Sequence, residues 1–167
     1  MGISTCLLGE NVRYDGGHKL DRYLKDTVGA FVNWVLVCPE VECGLSVPRE
    51  AMHLIGDPQN PRLVTIRSGI DHTDRMLNWI ISKLDQLEKA ELCGFVFKSK
   101  SPSCGMWDVK IYDEEGVSGK KGRGLFAIKF IERFPLLPVE DENRLNDPKK
   151  RENFIKRIFA VRYSRYC

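Results

Sequence analysis

Three strand-sized apolar runs, at residues 2–8, 31–37 and 92–97, each end at or feed a cysteine in a turn-rich segment. The cysteines are Cys6, Cys38 beside Pro39, and Cys104 in Lys98-Ser99-Lys100-Ser101-Pro102-Ser103-Cys104-Gly105. Before the third run lies an amphipathic stretch opened by Asp71 and Thr73, both candidate N-caps, with Leu77, Ile80, Ile81, Leu84 and Leu87 on one stripe. Strands alternating with helices bury their apolar faces as a parallel sheet covered on both sides with right-handed crossovers. This predicts an α/β fold, a Rossmann-like mostly parallel sheet flanked by helices. Ligand sites of such sheets lie beyond the carboxyl ends of the strands, where the three thiols would arrive together.

Weaker signals fill in the remaining elements. Residues 18–28 carry a faint helical pattern, and Pro39 cannot donate to a ladder, so residues 40–50 read as an irregular loop. A polar turn at 56–61 leads to a short strand near 63–66. A further strand is expected at 109–112, a Gly-rich connection at 119–124 and a helix over about 125–133. Beyond Phe134 come an acidic patch, Glu140, Asp141 and Glu142, and a helix capped by Asn146 or Asp147 with Pro148 in its first turn. Its apolar positions are Phe154, Ile155, Ile158, Phe159 and Val161. The expected division is a sheet domain at 1–134 and a C-terminal helical extension at 135–167.

With 167 residues, 43% of them hydrophobic and 29% charged, the chain has the composition of one globular domain. Such a domain buries roughly 70% of its unfolded surface, which excludes disordered, collagen-like and miniature disulfide classes. No apolar run reaches membrane-spanning length and no basic-then-apolar leader opens the chain, so the expectation is a cytoplasmic protein with no membrane partner. Six cysteines in that compartment are thiols, available for metal binding, catalysis or burial. Cys93, inside an apolar run, reads as packing, and Cys167 at the chain end carries no functional signal. Cys43, five residues beyond Cys38, reads as a fourth ligand or a resolving thiol. Cys6, Cys38 and Cys104 lack the local pairs of zinc ribbons and ferredoxins. Three thiolates suit zinc with a water, or an iron–sulfur cubane with one iron free of protein, and the spacing leaves both open.

Net charge is +3, yet residues 149–167 hold seven basic side chains against Glu152 alone, leaving the first 148 residues at −3. Lys149, Lys150, Arg151, Lys156, Arg157, Arg162 and Arg165 thus make a basic end suited to a polyanion, or a solvated helix face.

Several motifs together resemble the thiouracil desulfidase family: Cys6-Leu7-Leu8-Gly9, Val12-Arg13-Tyr14-Asp15-Gly16, Val37-Cys38-Pro39-Glu40-Val41-Glu42, Gly44-Leu45, Val47-Pro48-Arg49-Glu50 and the Lys98 to Gly105 segment quoted above. The resemblance runs over about 130 residues. Pro138-Val139-Glu140, Arg144-Leu145-Asn146-Asp147 and Arg151-Glu152-Asn153-Phe154-Ile155 look like the opening of the domain that accompanies this one in transfer-RNA 4-thiouridine desulfidases, here truncated. The resemblance implies a [4Fe-4S] cluster on Cys6, Cys38 and Cys104 with one iron not ligated by protein, and catalytic positions at Glu40 and Ser101. Cys43 departs from the pattern, which expects a small or apolar residue there.

The implied activity replaces the thiocarbonyl sulfur of 4-thiouridine in tRNA, and of free thiouracil or 4-thiouridine, by oxygen, releasing hydrosulfide without redox. It needs a soft Lewis acid for sulfur, a water nucleophile and a proton source. Glu40, or Glu42 two residues on, is a candidate to activate water. Ser101 and Ser103 are candidates to hydrogen-bond the pyrimidine or relay protons, and Lys98 and Lys100 to steady negative charge. Arg13 and Asp15 are candidate pocket-lining residues and His18 a further base, whereas His53 and His72 have no constellation around them. Two rival readings remain: a cysteine-bound metal or redox-sensing module that grips nucleic acid without catalysis, and an enzyme confined to free thiouracil.

Overall fold

The computed structural model describes residues 1–113, 115–116 and 118–164; Arg165 and Cys167 lie outside the described residues. Strands β1 (Gly2–Ser4), β2 (Val35–Val37), β5 (Phe95–Phe97) and β8 (Val139–Asp141) form an all-parallel sheet in the order β2-β1-β5-β8. The chain leaves β1 for β2 on one side and later returns to β5 on the other, so the sheet switches direction at β1. That is where open α/β sheets bind ligands.

A second sheet, not foreseen from the sequence, has the order β4-β3-β6-β7, with β3 (Met52–Asp57), β4 (Asn60–Thr65), β6 (Val109–Tyr112) and β7 (Ser118–Gly122). β3 and β4 form an antiparallel hairpin, while β3 and β6 pair in parallel. The alternation that makes β3 a strand is written in Met52 and Leu54, both buried, against the half-buried His53 and Ile55. The expectations change accordingly: β3 begins in residues left without assignment, β3 and β4 narrow the turn expected at 56–61 to Pro58 and Gln59, and the Gly-rich connection at 119–124 contains most of β7.

Helices α2 (Thr73–Lys89) and α3 (Leu125–Arg133) cover one face of the parallel sheet, and α4 (Pro148–Ser164) covers the other. Period-two alternation in β5 serves both faces. Phe95 and Phe97 point into a core shared with α2, α3 and the second sheet, while Val96 joins Ile3, Leu7, Leu145 and Phe154 on the opposite side. Rings of Phe95, Phe97, Phe126 and Phe130 pack with centroids 4.3 to 5.9 Å apart. On α2 the buried stripe is Met76, Ile80, Leu84 and Leu87, and Ile81 is 65% exposed. The i, i+4, i+8 row centred on Ile80 leaves its neighbour about 100° away, on the solvent side.

Other elements are shorter than expected. The first run forms only three residues of strand before a 3₁₀ turn, Thr5–Leu8, which takes Cys6 out of β1. Phe31 is 82% exposed and lies outside β2. The weak helix becomes a single π turn at Tyr23–Thr27, and the expected loop after Cys38 opens with a one-turn helix, α1 (Pro39–Glu42). α3 and α4 form where expected, with Asp147 accepting the amide of Lys149 as the cap, but of the apolar positions expected on α4 only Phe154 is buried, and Ile155 and Phe159 are exposed. The acidic patch is buried: Glu140 and Asp141 belong to β8, the edge strand completing the parallel sheet. No described helix is long and apolar enough to cross a membrane.

Candidate active site

The carboxyl ends of β1, β2 and β5 open onto one cavity of about 310 Å³. Cys6, Cys38 and Cys104 all line it, together with Ser4, Arg13, Tyr14, Glu40, Arg49, Lys98 and Ser101. Each thiol comes from a different connection: Cys6 from the 3₁₀ turn after β1, Cys38 from the residue before α1, and Cys104 from the loop after β5.

Burial pushes the Cys6 thiol up to about 11, with Cys38 adding to the rise and Lys98 and Arg13 opposing it. Burial likewise raises Cys38, opposed by the Val41 amide, and raises Cys104, opposed by a hydrogen bond from the Ser4 hydroxyl. Without a metal the three sites hold protons at neutral pH, which binding of a thiophilic centre would displace.

Glu40 stands on α1 at the cavity wall. Arg49 donates to its Oε2 through Nε at 2.8 Å and through Nη2 at 2.5 Å, and the guanidinium is only 7% exposed. Ser103 donates its hydroxyl to Oε1 at 2.5 Å. Both carboxylate oxygens are therefore fixed by protein donors, and Arg49 is anchored again by the Val12 carbonyl at 2.9 Å. Glu42 faces elsewhere: it accepts the Cys38 amide at 2.8 Å and pairs with Lys83 of α2 at 2.7 Å, so it braces α1 instead of lining the cavity.

Ser101 lines the cavity, and its Oγ accepts the amides of Ser103 at 3.2 Å and Cys104 at 3.1 Å. Ser103 is fully buried behind Glu40 and is not part of the cavity wall. Lys98 borders the cavity but is tied to Glu142 at 2.5 Å and to Ser99 at 3.0 Å. Lys100 is exposed at the rim with φ of 57°. Arg13 lines the cavity, but Asp15 does not: it holds the Gly17 amide and pairs with Arg13 at 3.4 Å. His18 accepts the Leu20 amide in a turn outside the cavity wall, and Cys43 donates to the Glu40 carbonyl with its thiol away from the cavity.

Reading from sequence missed Arg49, Ser4 and Lys19 as members of the site. The nine-residue separation between Glu40 and Arg49 has no helical or strand period that would announce their pairing. On α4, Lys149, Lys150, Lys156, Arg157 and Arg162 are exposed, Lys156 pairs with Glu152, and Arg151 stacks on Tyr23 at 4.8 Å.

Residues 1–142 match the 2-thiouracil desulfurase family. The uncharacterized protein YbbK of Bacillus subtilis (strain 168) is 30% identical over 150 residues, covering 87% of this chain and 97% of that protein. The solved structure of TudS, a [4Fe-4S]-dependent thiouracil desulfidase, matches with a TM-score of 0.68 and 32% identity over 88% of this chain and 93% of that one. With the match running from the first strand through the whole cysteine-lined cavity, this chain belongs to the 2-thiouracil desulfurase family.

Proposed function

We propose that this chain is an iron–sulfur-dependent desulfidase that replaces the thiocarbonyl sulfur of a thiolated pyrimidine by oxygen. The observation that carries the proposal is the convergence of Cys6, Cys38 and Cys104 from three connections onto one cavity beside a clamped carboxylate, Glu40. An all-thiol donor set on one cavity suits iron–sulfur chemistry. Bound by three cysteines, a [4Fe-4S] cluster would keep one iron without a protein ligand and supply a soft Lewis-acid position for sulfur.

The chain's own side chains supply the rest. Glu40 is acceptor-only when ionised, and a carboxylate has about four lone-pair directions. Hydrogen bonds from Arg49 and Ser103 occupy three of these, leaving one to take a proton from water. Ser101, whose oxygen already receives two amides, keeps its own O–H to donate to the pyrimidine. Ser103 and Arg49 position Glu40, and Lys98 balances thiolate charge at the wall. Carbon exchanges its bond to sulfur for one to the oxygen of water, sulfur leaves as hydrosulfide, and no electron is gained or lost.

Anaerobic reconstitution with iron and sulfide, followed by turnover of free 4-thiouracil, tests the proposal. One cubane per chain and hydrosulfide release are expected; full turnover in metal-free protein would overturn it. We extend the substrate to 4-thiouridine within transfer RNA, supported by the exposed Lys149, Lys150, Arg157 and Arg162 of α4. Reversing these four to Glu should raise KM for thiolated transfer RNA and leave free 4-thiouracil unaffected. Residues 135–167 are proposed as the extension carrying this helix, their first strand completing the sheet.

A further inference from the structure

The loop bearing Cys104 runs on to Trp107, three residues away and therefore at most about 11 Å along the chain. Trp107 is 37% exposed, and two guanidiniums lie against its ring: Arg144 at 4.9 Å and Arg123 at 5.4 Å from the centroid. Arg144 is fixed again by Nε on Glu140 at 2.7 Å. Among the described residues Arg123 has no carboxylate within ion-pair distance. The neighbouring Asp108 pairs with Lys121 at 3.2 Å, and Lys121 stands directly opposite Lys110 in the β6–β7 ladder. Like charges directly opposite destabilise a strand pair; Asp108 offsets Lys121, and an outside anion at Lys110 would relieve the rest. Lys110, too, has no carboxylate within ion-pair distance among the described residues.

Arg144, Trp107, Arg123, Lys121 and Lys110 thus form one continuous strip leading away from the cysteine loop. We infer that this strip is an RNA-contact surface: its cations take phosphates, and the Trp107–arginine assembly stacks a base flanking the reacting nucleotide. Aromatic and guanidinium planes are the platforms on which splayed single-stranded bases stack, which favours RNA over an acidic peptide. The inference rests on the RNA reading above and gives it a place on the sheet domain itself. On α4, Lys149, Lys156, Lys150 and Arg157 lie on adjacent sides, whereas Arg162 lies with Arg151 on another, so the helix offers a second basic face beside this strip.

The test is fluorescence anisotropy of the cluster-loaded full chain with a short labelled single-stranded RNA carrying one 4-thiouridine. Lys110→Glu with Arg123→Glu should raise Kd about tenfold or more and flatten the dependence of log Kd on log salt by about 0.7 for each cation removed. Turnover of free 4-thiouracil by that variant should stay within about twofold. RNA should quench tryptophan fluorescence in the wild type and not in Trp107→Leu. Unchanged affinity and salt slope in the double variant overturn the proposal, as does a wild-type protein that turns over 4-thiouracil without binding the RNA. A wild-type protein that turns over no thiolated pyrimidine overturns the desulfidase reading instead, and the binding measurement still decides this surface.

Discussion

Arg49 grips one oxygen of Glu40 with two donors while Ser103 holds the other, so the carboxylate has one geometry available. Glu40→Gln should keep the cluster's visible absorbance and lower kcat on the order of a hundredfold, as loss of a general base does. Arg49→Lys should also lower kcat with little change in iron content, because an ammonium cannot reproduce the two-pronged contact. Single changes of Cys6, Cys38 or Cys104 to Ala should abolish the brown colour and bound iron. Cys93→Ala, away from the cavity, should retain both. Asp141 offers a check independent of the metal: burial raises its carboxyl above the ordinary range, partly opposed by the Arg144 amide. The stability it contributes is therefore present below its unfolded value of about 3.9 and lost as pH rises through the higher native one. Asp141→Asn should stabilise the fold more at about pH 7 than at about pH 3, measured by denaturant unfolding. Cys6, Cys38 and Cys104 stood out in the sequence as thiols in turn-rich segments after apolar runs, whereas Glu40 and Ser101 entered through the family resemblance. Asp15 and Glu42 were misplaced because a loop's sequence does not say which way its carboxylates turn.

The cysteine loop after β5 is shaped from outside by α3. The amide of Gly124 bonds the Gly105 carbonyl, and those of Leu125 and Phe126 bond the Pro102 and Ser103 carbonyls. A Cβ on Gly124 would fall 2.4 Å from the backbone of Ser103, and one on Gly105 would fall 2.7 Å from the Ser101 carbonyl. Neither position is needed for a left-handed turn; both let two backbones touch. Gly124→Ala should therefore lower stability by about 1–3 kcal/mol, the usual cost of overpacking. It should also reduce cluster content at equal protein concentration, read as iron per chain after anaerobic reconstitution. At this scale the extents of α3 and α4 were legible, since caps and turns are local, but of the apolar positions expected on α4 only Phe154 is buried and Ile155 and Phe159 are exposed. β7 was not legible, because Gly-Lys-Lys-Gly has neither alternation nor strand-forming residues and is held by its ladder to β6.

Across the whole molecule, the parallel sheet carries the site and the second sheet shares the core that α2 and α3 form on one of its faces, with the cysteines gathered at one edge only in the folded state. A metal centre held there would therefore stabilise the native chain selectively: reconstituted protein should melt at a higher temperature than metal-free protein, and Cys38→Ala should erase the difference. The sequence by itself determined the α/β class, the long helices and the three thiols at strand ends, because hydrophobic period, capping and turn chemistry act over a few residues. Tertiary structure alone decided that a second sheet exists, that Arg49 clamps Glu40, that the acidic run of β8 is buried, and that two arginines come to lie against Trp107. Each of those depends on which distant segments share a surface, and that choice is made by the summed burial of the whole chain and by no local pattern.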